Sequence, residues 1–209
     1  MSDATMAGPI PPAPARLDTA RFGMWVFIAS EVLFFGALLV AYGAARLHAP
    51  AGFAAASRQT DLGLGTLNTA LLLSSSCAIA IAAEAAGGAR WPTVRRGLWI
   101  AAALGAGFLA VKGVEYRNEW REGLFPGPGF RVGGRAVAGA ELFFAWYFVA
   151  TALHALHLLI GIVGCAVLAL RADSRDVAVQ VPVLALYWHF VDVVWILLYP
   201  LIYLVVPRT

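Results

Sequence analysis

The sequence predicts an all-α, polytopic membrane protein, a bundle of five transmembrane helices, and three observations carry that prediction. Of 209 residues, 61% are hydrophobic and 13% are charged, against roughly 45–50% and about 25% in an ordinary soluble domain. The mean hydropathy is +0.77. Five stretches are long enough to cross a hydrocarbon core of roughly 30 Å, which takes about 20 apolar residues: Phe22 to Arg46, Gly63 to Ala86, Thr93 to Tyr116, Ala140 to Leu170 and Val181 to Val206. The same composition excludes a disordered chain. The formal charge of +3 is spread over many short connections and forms no basic face, which argues against a nucleic-acid partner.

The segment before the first span carries Pro9, Pro11, Pro12 and Pro14 and no apolar core of signal-peptide type. Residues 1–21 therefore read as an N-terminal tail and residues 22–209 as one transmembrane domain. Short connections make successive spans antiparallel, as in an up-and-down bundle. The connection between the third and fourth spans, Asn118 to Gly139, is the long one, and its Pro126, Pro128 and glycines favour turns over a further helix. Five spans place the termini on opposite sides. Arg16, Arg21, Arg90, Arg95, Arg96, Arg171 and Arg175 fall on one side and Arg46, Arg58, Arg117, Arg121, Arg131, Arg135 and Arg208 on the other, so the basic residues set no orientation. Cys77 and Cys165 stand far apart without a paired spacing, which suggests neither a disulfide nor a thiol metal site.

Ionisable residues inside spans are costly, at least about 2.5–3.5 kcal/mol each on insertion scales, and so are functional candidates. Glu31 lies mid-span on a face with Phe27, Phe34, Leu38 and Tyr42, either as a carboxyl hydrogen-bonded to a neighbouring helix or as a proton-handling group. In the second span Asn68, Leu72 and Ser75 or Ser76 form a stripe with Thr69 beside it, a pattern suited to helix packing. The third span aligns Gly105, Phe108, Lys112 and Glu115, with Lys112 able to pair with Glu115 and to snorkel. The fourth carries Tyr147, Thr151, His154, Gly161 and Gly164 on one stripe, with His157 a turn from His154. In the fifth, His189 and Asp192 are three apart between Trp188 and Trp195, and Tyr199 and Tyr203 extend the face.

Paired histidines can ligate metal or shuttle protons, but four histidines in all supply no further ligands for zinc and too few for a multi-haem centre. No P-loop, dinucleotide fingerprint, nucleophile elbow or HExxH occurs. The residues alone thus predict no catalytic or metal-ligating set, and a polar network joining the first, fourth and fifth spans.

Four segments resemble the cytochrome c oxidase subunit III family, in that family's order. They are GMWVFIASEVLFF at Gly23 to Phe35, Asn68 and Thr69 followed by LLLSSS, FFAWYFVATALHALHLLIG at Phe143 to Gly161, and WHFVDVVW at Trp188 to Trp195. The resemblance implies the five-helix form, lacking the first two helices of the seven-helix form. It implies a subunit without haem or copper, those cofactors residing in partner subunits, packed against oxidase subunits I and II within a respiratory assembly of the bacterial cytoplasmic membrane. Bound phospholipid, support of proton uptake and an N-terminus inside are also implied.

Carried over by position, Glu31 is the family's buried carboxylate, His154 and His157 its paired histidines, His189 and Asp192 its polar pair, and Glu115 with Tyr116 its EY step. Ala152 and Ala155 stand where the family often has Gly, and Lys112 departs from the commonest members. Smaller relatives associated with nitric oxide reductases share the pattern. The expected function is an accessory subunit of a haem–copper oxidase, using cytochrome c or quinol. The alternatives are a nitric-oxide-reductase-associated protein and, in another class, an independent proton or metal transporter.

Overall fold

The computed structural model describes residues 13–132, 137–172 and 175–204. These form six helices: α1 (Ala13–His48), α2 (Pro50–Ser57), α3 (Leu62–Gly87), α4 (Trp91–Arg121), α5 (Ala140–Leu170) and α6 (Arg175–Tyr203). Five of them, all except α2, are long and apolar enough to span a membrane. The helix ends follow local chemistry. Asp61 accepts from the backbone N–H of Gly63 (2.8 Å) and Leu64 (3.1 Å) to start α3. Pro92 sits in the first turn of α4, where its missing N–H costs nothing. Before α5, Gly139 adopts φ 82°, which glycine reaches without a Cβ clash, and a Cβ there would meet that of Ala49 at 2.4 Å.

Helices α3 to α6 close into a four-helix ring in which α3 packs on α4 and α6, and α5 on the same two. Three side-chain layers set the register. In the first, the Trp188 indole lies over Gly105 and Gly161, where added Cβ atoms would each meet it at 3.1 Å, and donates to Ser75 Oγ on α3 at 3.0 Å. In the second, Trp195 packs edge-on against Phe108 at 4.7 Å, stands 5.2 Å from His154, and donates to Thr69 Oγ1 at 3.0 Å. In the third, the Tyr203 ring occupies the space over Gly65, next to Lys112 and Tyr147. The layers run forward along α4 and α6 and backward along α3 and α5, so ring neighbours are antiparallel, as the short connections require.

Helix α1 departs from a simple up-and-down order, because it packs outside the ring on α6 and α5 instead of beside α3. Most of its surface is apolar and exposed, including Phe22, Val26, Leu33, Val40 and Leu47, so it is fitted to lipid or protein cover on nearly every side. Three side-chain hydrogen bonds to backbone carbonyls join it to the ring or close that seam: Trp146 Nε1 to Leu38 O (2.9 Å), Tyr42 Oη to Leu201 O (2.7 Å) and Tyr187 Oη to His157 O (2.8 Å).

Sequence periodicity gave no sign of α2. This helix carries the chain from α1 across the end of the bundle, with Gly52 so close to the Ala138 carbonyl that a Cβ would stand 2.1 Å away. Ser57 Oγ, at its last turn, donates to Ile202 O at 2.9 Å. Tyr42 and Ser57 thereby satisfy carbonyls at the C-terminal end of α6 that have no partner within their own helix.

Other boundaries also differ from the hydropathy reading. Helix α1 begins at Ala13 and not at Phe22, so part of the segment read as a tail is helical, while residues 1–12 lie outside the described residues. Helix α4 continues to Arg121, past Asn118, and its inward face stays buried at Glu115 and Glu119. Helix α6 starts at Arg175, ahead of Val181, and tolerates Pro182 and Pro200 within it. Val205 and Val206, the end of the fifth predicted span, lie outside the described residues.

Glycines at 105 and 161 admit Trp188, so Gly105→Leu and Gly161→Leu should each lower stability by about 1–3 kcal/mol through overpacking. Gly113→Leu, at a position with nothing within 4 Å of an added Cβ, should leave it nearly unchanged. Detergent-denaturation midpoints of the three variants measure this.

Candidate functional site

The polar side chains of the spans fall into three groups. The largest is centred on Lys112, which the sequence reading allowed to snorkel and which instead is 3% exposed inside the ring. Snorkelling fails because the inner face of α4 directs the ammonium at acceptors on three helices. It donates to Glu115 Oε2 (3.0 Å), Tyr147 Oη (2.8 Å) and Tyr203 Oη (3.0 Å), which uses all three N–H groups. Tyr203 Oη in turn donates to Glu115 Oε1 at 2.6 Å. The Tyr147 ring centroid lies 4.4 Å from Nζ, adding cation–π attraction to the ion pair.

Beside this cluster is Glu119, 4% exposed, which faces the Tyr147 hydroxyl but has no hydrogen bond within 3.5 Å on either carboxyl oxygen. Tyr116 Oη and Thr151 Oγ1 are hydrogen-bonded across α4 and α5, and Thr151 Oγ1 also meets its own helix at Tyr147 O (2.7 Å).

The second group joins α1 to α5. Glu31 Oε2 lies 3.2 Å from His157 Nε2, and the other ring nitrogen lies 2.8 Å from Leu153 O. Both side chains are mostly buried, at 18% and 13% exposure. The third group joins α6 to α3: His189 Nδ1 lies 2.8 Å from Ser76 Oγ and 3.9 Å from Asp192 Oδ2. Asp192 is buried at 4%.

The expected pairing of His154 with His157 is thus divided between two faces. His157 turns outward to α1. His154 is fully buried between Phe108 and Trp195, at ring-centroid distances of 5.4 and 5.2 Å, with no hydrogen bond at either nitrogen. Asn68 is likewise fully buried with no hydrogen bond. The predicted network joining the first, fourth and fifth spans is therefore separate local links, Glu31 to His157 across α1 and α5, and His189 with Asp192 facing α3 through Ser76.

Sequence reasoning missed Glu119, because it placed residue 118 in a connection. The signal was present, since Lys112, Glu115 and Glu119 follow the three- and four-residue steps of one helix face. Among the described residues, no group of three or more His, Cys, Asp or Glu side chains is arranged to hold a metal ion. Chemically the three groups can hold charge, cross-link helices and exchange protons at their edges.

Residues 2–206 match the family described as cytochrome c oxidase subunit III. The chain belongs to this family. Among curated proteins, it is 33% identical over 198 residues to the cytochrome c oxidase subunit 3 of Thermostichus vulcanus, covering 90% of this chain and 88% of that one. It is 27% identical to the cytochrome bo(3) ubiquinol oxidase subunit 3 of Pseudomonas aeruginosa, covering 88% and 83%. It is also 29% identical over 203 residues to the haem–copper oxidase subunit I+III of Aeropyrum pernix, where the match covers 92% of this chain but only 23% of the longer relative. The five long apolar helices and the family membership together make this a multi-pass membrane protein.

Removing the cation from a buried pair leaves an uncompensated charge, at a cost of about 3–5 kcal/mol. Lys112→Met should therefore destabilise the chain by that order, and adding Glu115→Gln to it should recover a large part of the loss. A double-mutant cycle on unfolding in mixed detergent micelles gives the coupling.

Proposed function

We propose that this chain is the accessory, cofactor-free subunit III of a haem–copper terminal oxidase in a bacterial cytoplasmic membrane, docked against the catalytic subunit I and near subunit II. In this reading haem and copper sit in those partner subunits. The observation that carries it is the family match over residues 2–206. The Aeropyrum pernix relative, named as subunits I and III joined in one protein, supports contact with subunit I. Relatives named for cytochrome c and for quinol oxidases both match, which fits a subunit that does not select the electron donor.

The polar groups then serve the bundle and its outer helix. Glu31 and His157 fix α1 against α5, and α1 presents an apolar outer face that fits cover by subunit I and by membrane lipid. Asn68, Thr69, Ser75 and Thr151 act in helix packing, and Thr69 and Ser75 do so as acceptors for Trp195 and Trp188. His189 and Asp192 tie α6 to α3 through Ser76. Glu115 neutralises Lys112. With the N-terminus inside, the Lys112 end of the ring lies toward the outer face.

Two measurements test this. A tag on the chain, extraction of native membranes in mild detergent and a reduced-minus-oxidised spectrum of the co-purifying material should reveal a haem–copper oxidase, with its subunits identified by mass spectrometry. Recovery of the chain free of haem proteins, under conditions that keep respiratory complexes intact, would contradict the reading. In the purified complex, Glu31→Ala removes a contact worth about 1–3 kcal/mol. It should reduce the number of turnovers before inactivation more than it reduces the initial rate. An unchanged working lifetime would count against a role for Glu31.

A further inference from the structure

At the end of the ring that holds Lys112, a cavity of about 230 Å³ opens between the first turn of α3 and the last turns of α4. Its polar lining is Gln59, Asp61, Glu115, Asn118, Glu119 and Glu122. The charges do not balance there. Glu115 is matched by Lys112, and one oxygen of Asp61 is engaged in capping α3. Glu122 is exposed at the rim. Glu119 is different: it is 4% exposed, lines the cavity, and has no hydrogen bond within 3.5 Å on either oxygen. The charged groups that face it are Lys112, Glu115 and Glu122, one cation against two further carboxylates. Lys112 has already committed its three donors elsewhere. The Tyr147 hydroxyl also faces Glu119, but one neutral donor cannot satisfy both oxygens of a buried carboxylate, whose desolvation cost stays large, and a charged donor entering through the cavity would offset it.

The shape of the lining selects the chemistry of that donor. No three of the carboxylates are arranged to hold one metal ion among the described residues, so direct coordination does not use them together. A larger cation with several N–H groups can reach Glu119 at depth, Glu122 at the rim and the side-chain carbonyls of Gln59 and Asn118 between.

We propose that this mouth binds an organic cation with N–H donors, an ammonium or guanidinium group, with Glu119 as its buried anchor and Glu122 at the rim. Such a group belongs either to a free amine or to a basic side chain of an adjoining subunit. The recognition chemistry is the same for both sources. It stands on the cavity alone and does not depend on which oxidase the chain serves.

Equilibrium dialysis with labelled agmatine, which carries both groups, tests it on the detergent-purified full chain. A single saturable equivalent should bind, weakened about tenfold by Glu119→Gln, the loss of a charge-assisted hydrogen bond. Glu122→Gln, at an exposed position where folding is not at stake, should weaken it several-fold. Glu84→Gln, in an exposed ion pair with Arg90 outside the cavity, should leave it unchanged. Equal binding by wild type and both cavity variants would overturn the proposal, as would stoichiometric displacement by calcium or magnesium at matched ionic strength. Binding to the isolated chain but not to the chain in its native complex assigns the cation to a neighbouring subunit's side chain. Binding in both assigns it to a free amine, and binding in neither refutes the site.

Discussion

Lys112 imposes the constraint on which much of the rest depends, because an ammonium shut away from water must find every one of its partners inside the protein. It finds them on three helices at once: a carboxylate one turn along α4, a phenol from α5 and a phenol from α6. Those contacts fix the rotation of α4 and the register of α5 and α6 at one end of the ring. They also explain Gly65, whose lack of a side chain gives Tyr203 room to reach the ammonium. At the other end the same three helices are set by Trp188, a large apolar body with one donor, admitted by Gly105 and Gly161 and anchored on Ser75. The bundle is therefore pinned by charge at one end and by shape at the other, with Trp195 and His154 filling the middle.

Outside that ring, α1 follows a different logic. Its contacts with the ring run along one narrow face, and its hydrogen bonds reach backbone carbonyls or are made by Glu31 to His157. A helix held this way keeps most of its apolar surface available for something other than its own chain. That arrangement suits a subunit whose place is beside a larger membrane partner. The bridging α2 lets α1 stand apart from α3, since it carries the chain over the end of α6 and caps its carbonyls in passing.

Much of this was legible in the residues. The five spans, the Lys112 and Glu115 pair and the polar character of Glu31, His157 and Asp192 follow from helical spacing and the cost of charge in lipid. The family segments gave the membership that the comparison with known proteins then showed. What spacing alone could not give is which helix each side chain meets. His154 and His157 look like a pair on paper, but a 60° difference in direction around the helix, the consequence of a three-residue step at 3.6 residues per turn, sends one to the interior and the other to α1. The same limit hid Ser76 as the partner of His189. Helix α2 was invisible because eight residues are too few to show a period, and Glu119 because proline and glycine further along drew the predicted end of α4 too early.

The central claim is that the buried polar groups of this chain cross-link its helices, with Glu119 left open to the mouth at one end, and do not form a path across the membrane. Proton flux into liposomes that contain this chain alone, followed with an internal pH dye under an imposed potential, tests that claim most directly. The account predicts flux no greater than in protein-free liposomes, and no change on replacing Lys112 or Glu119. Flux above that background which is abolished by Lys112→Met or Glu119→Gln would contradict it.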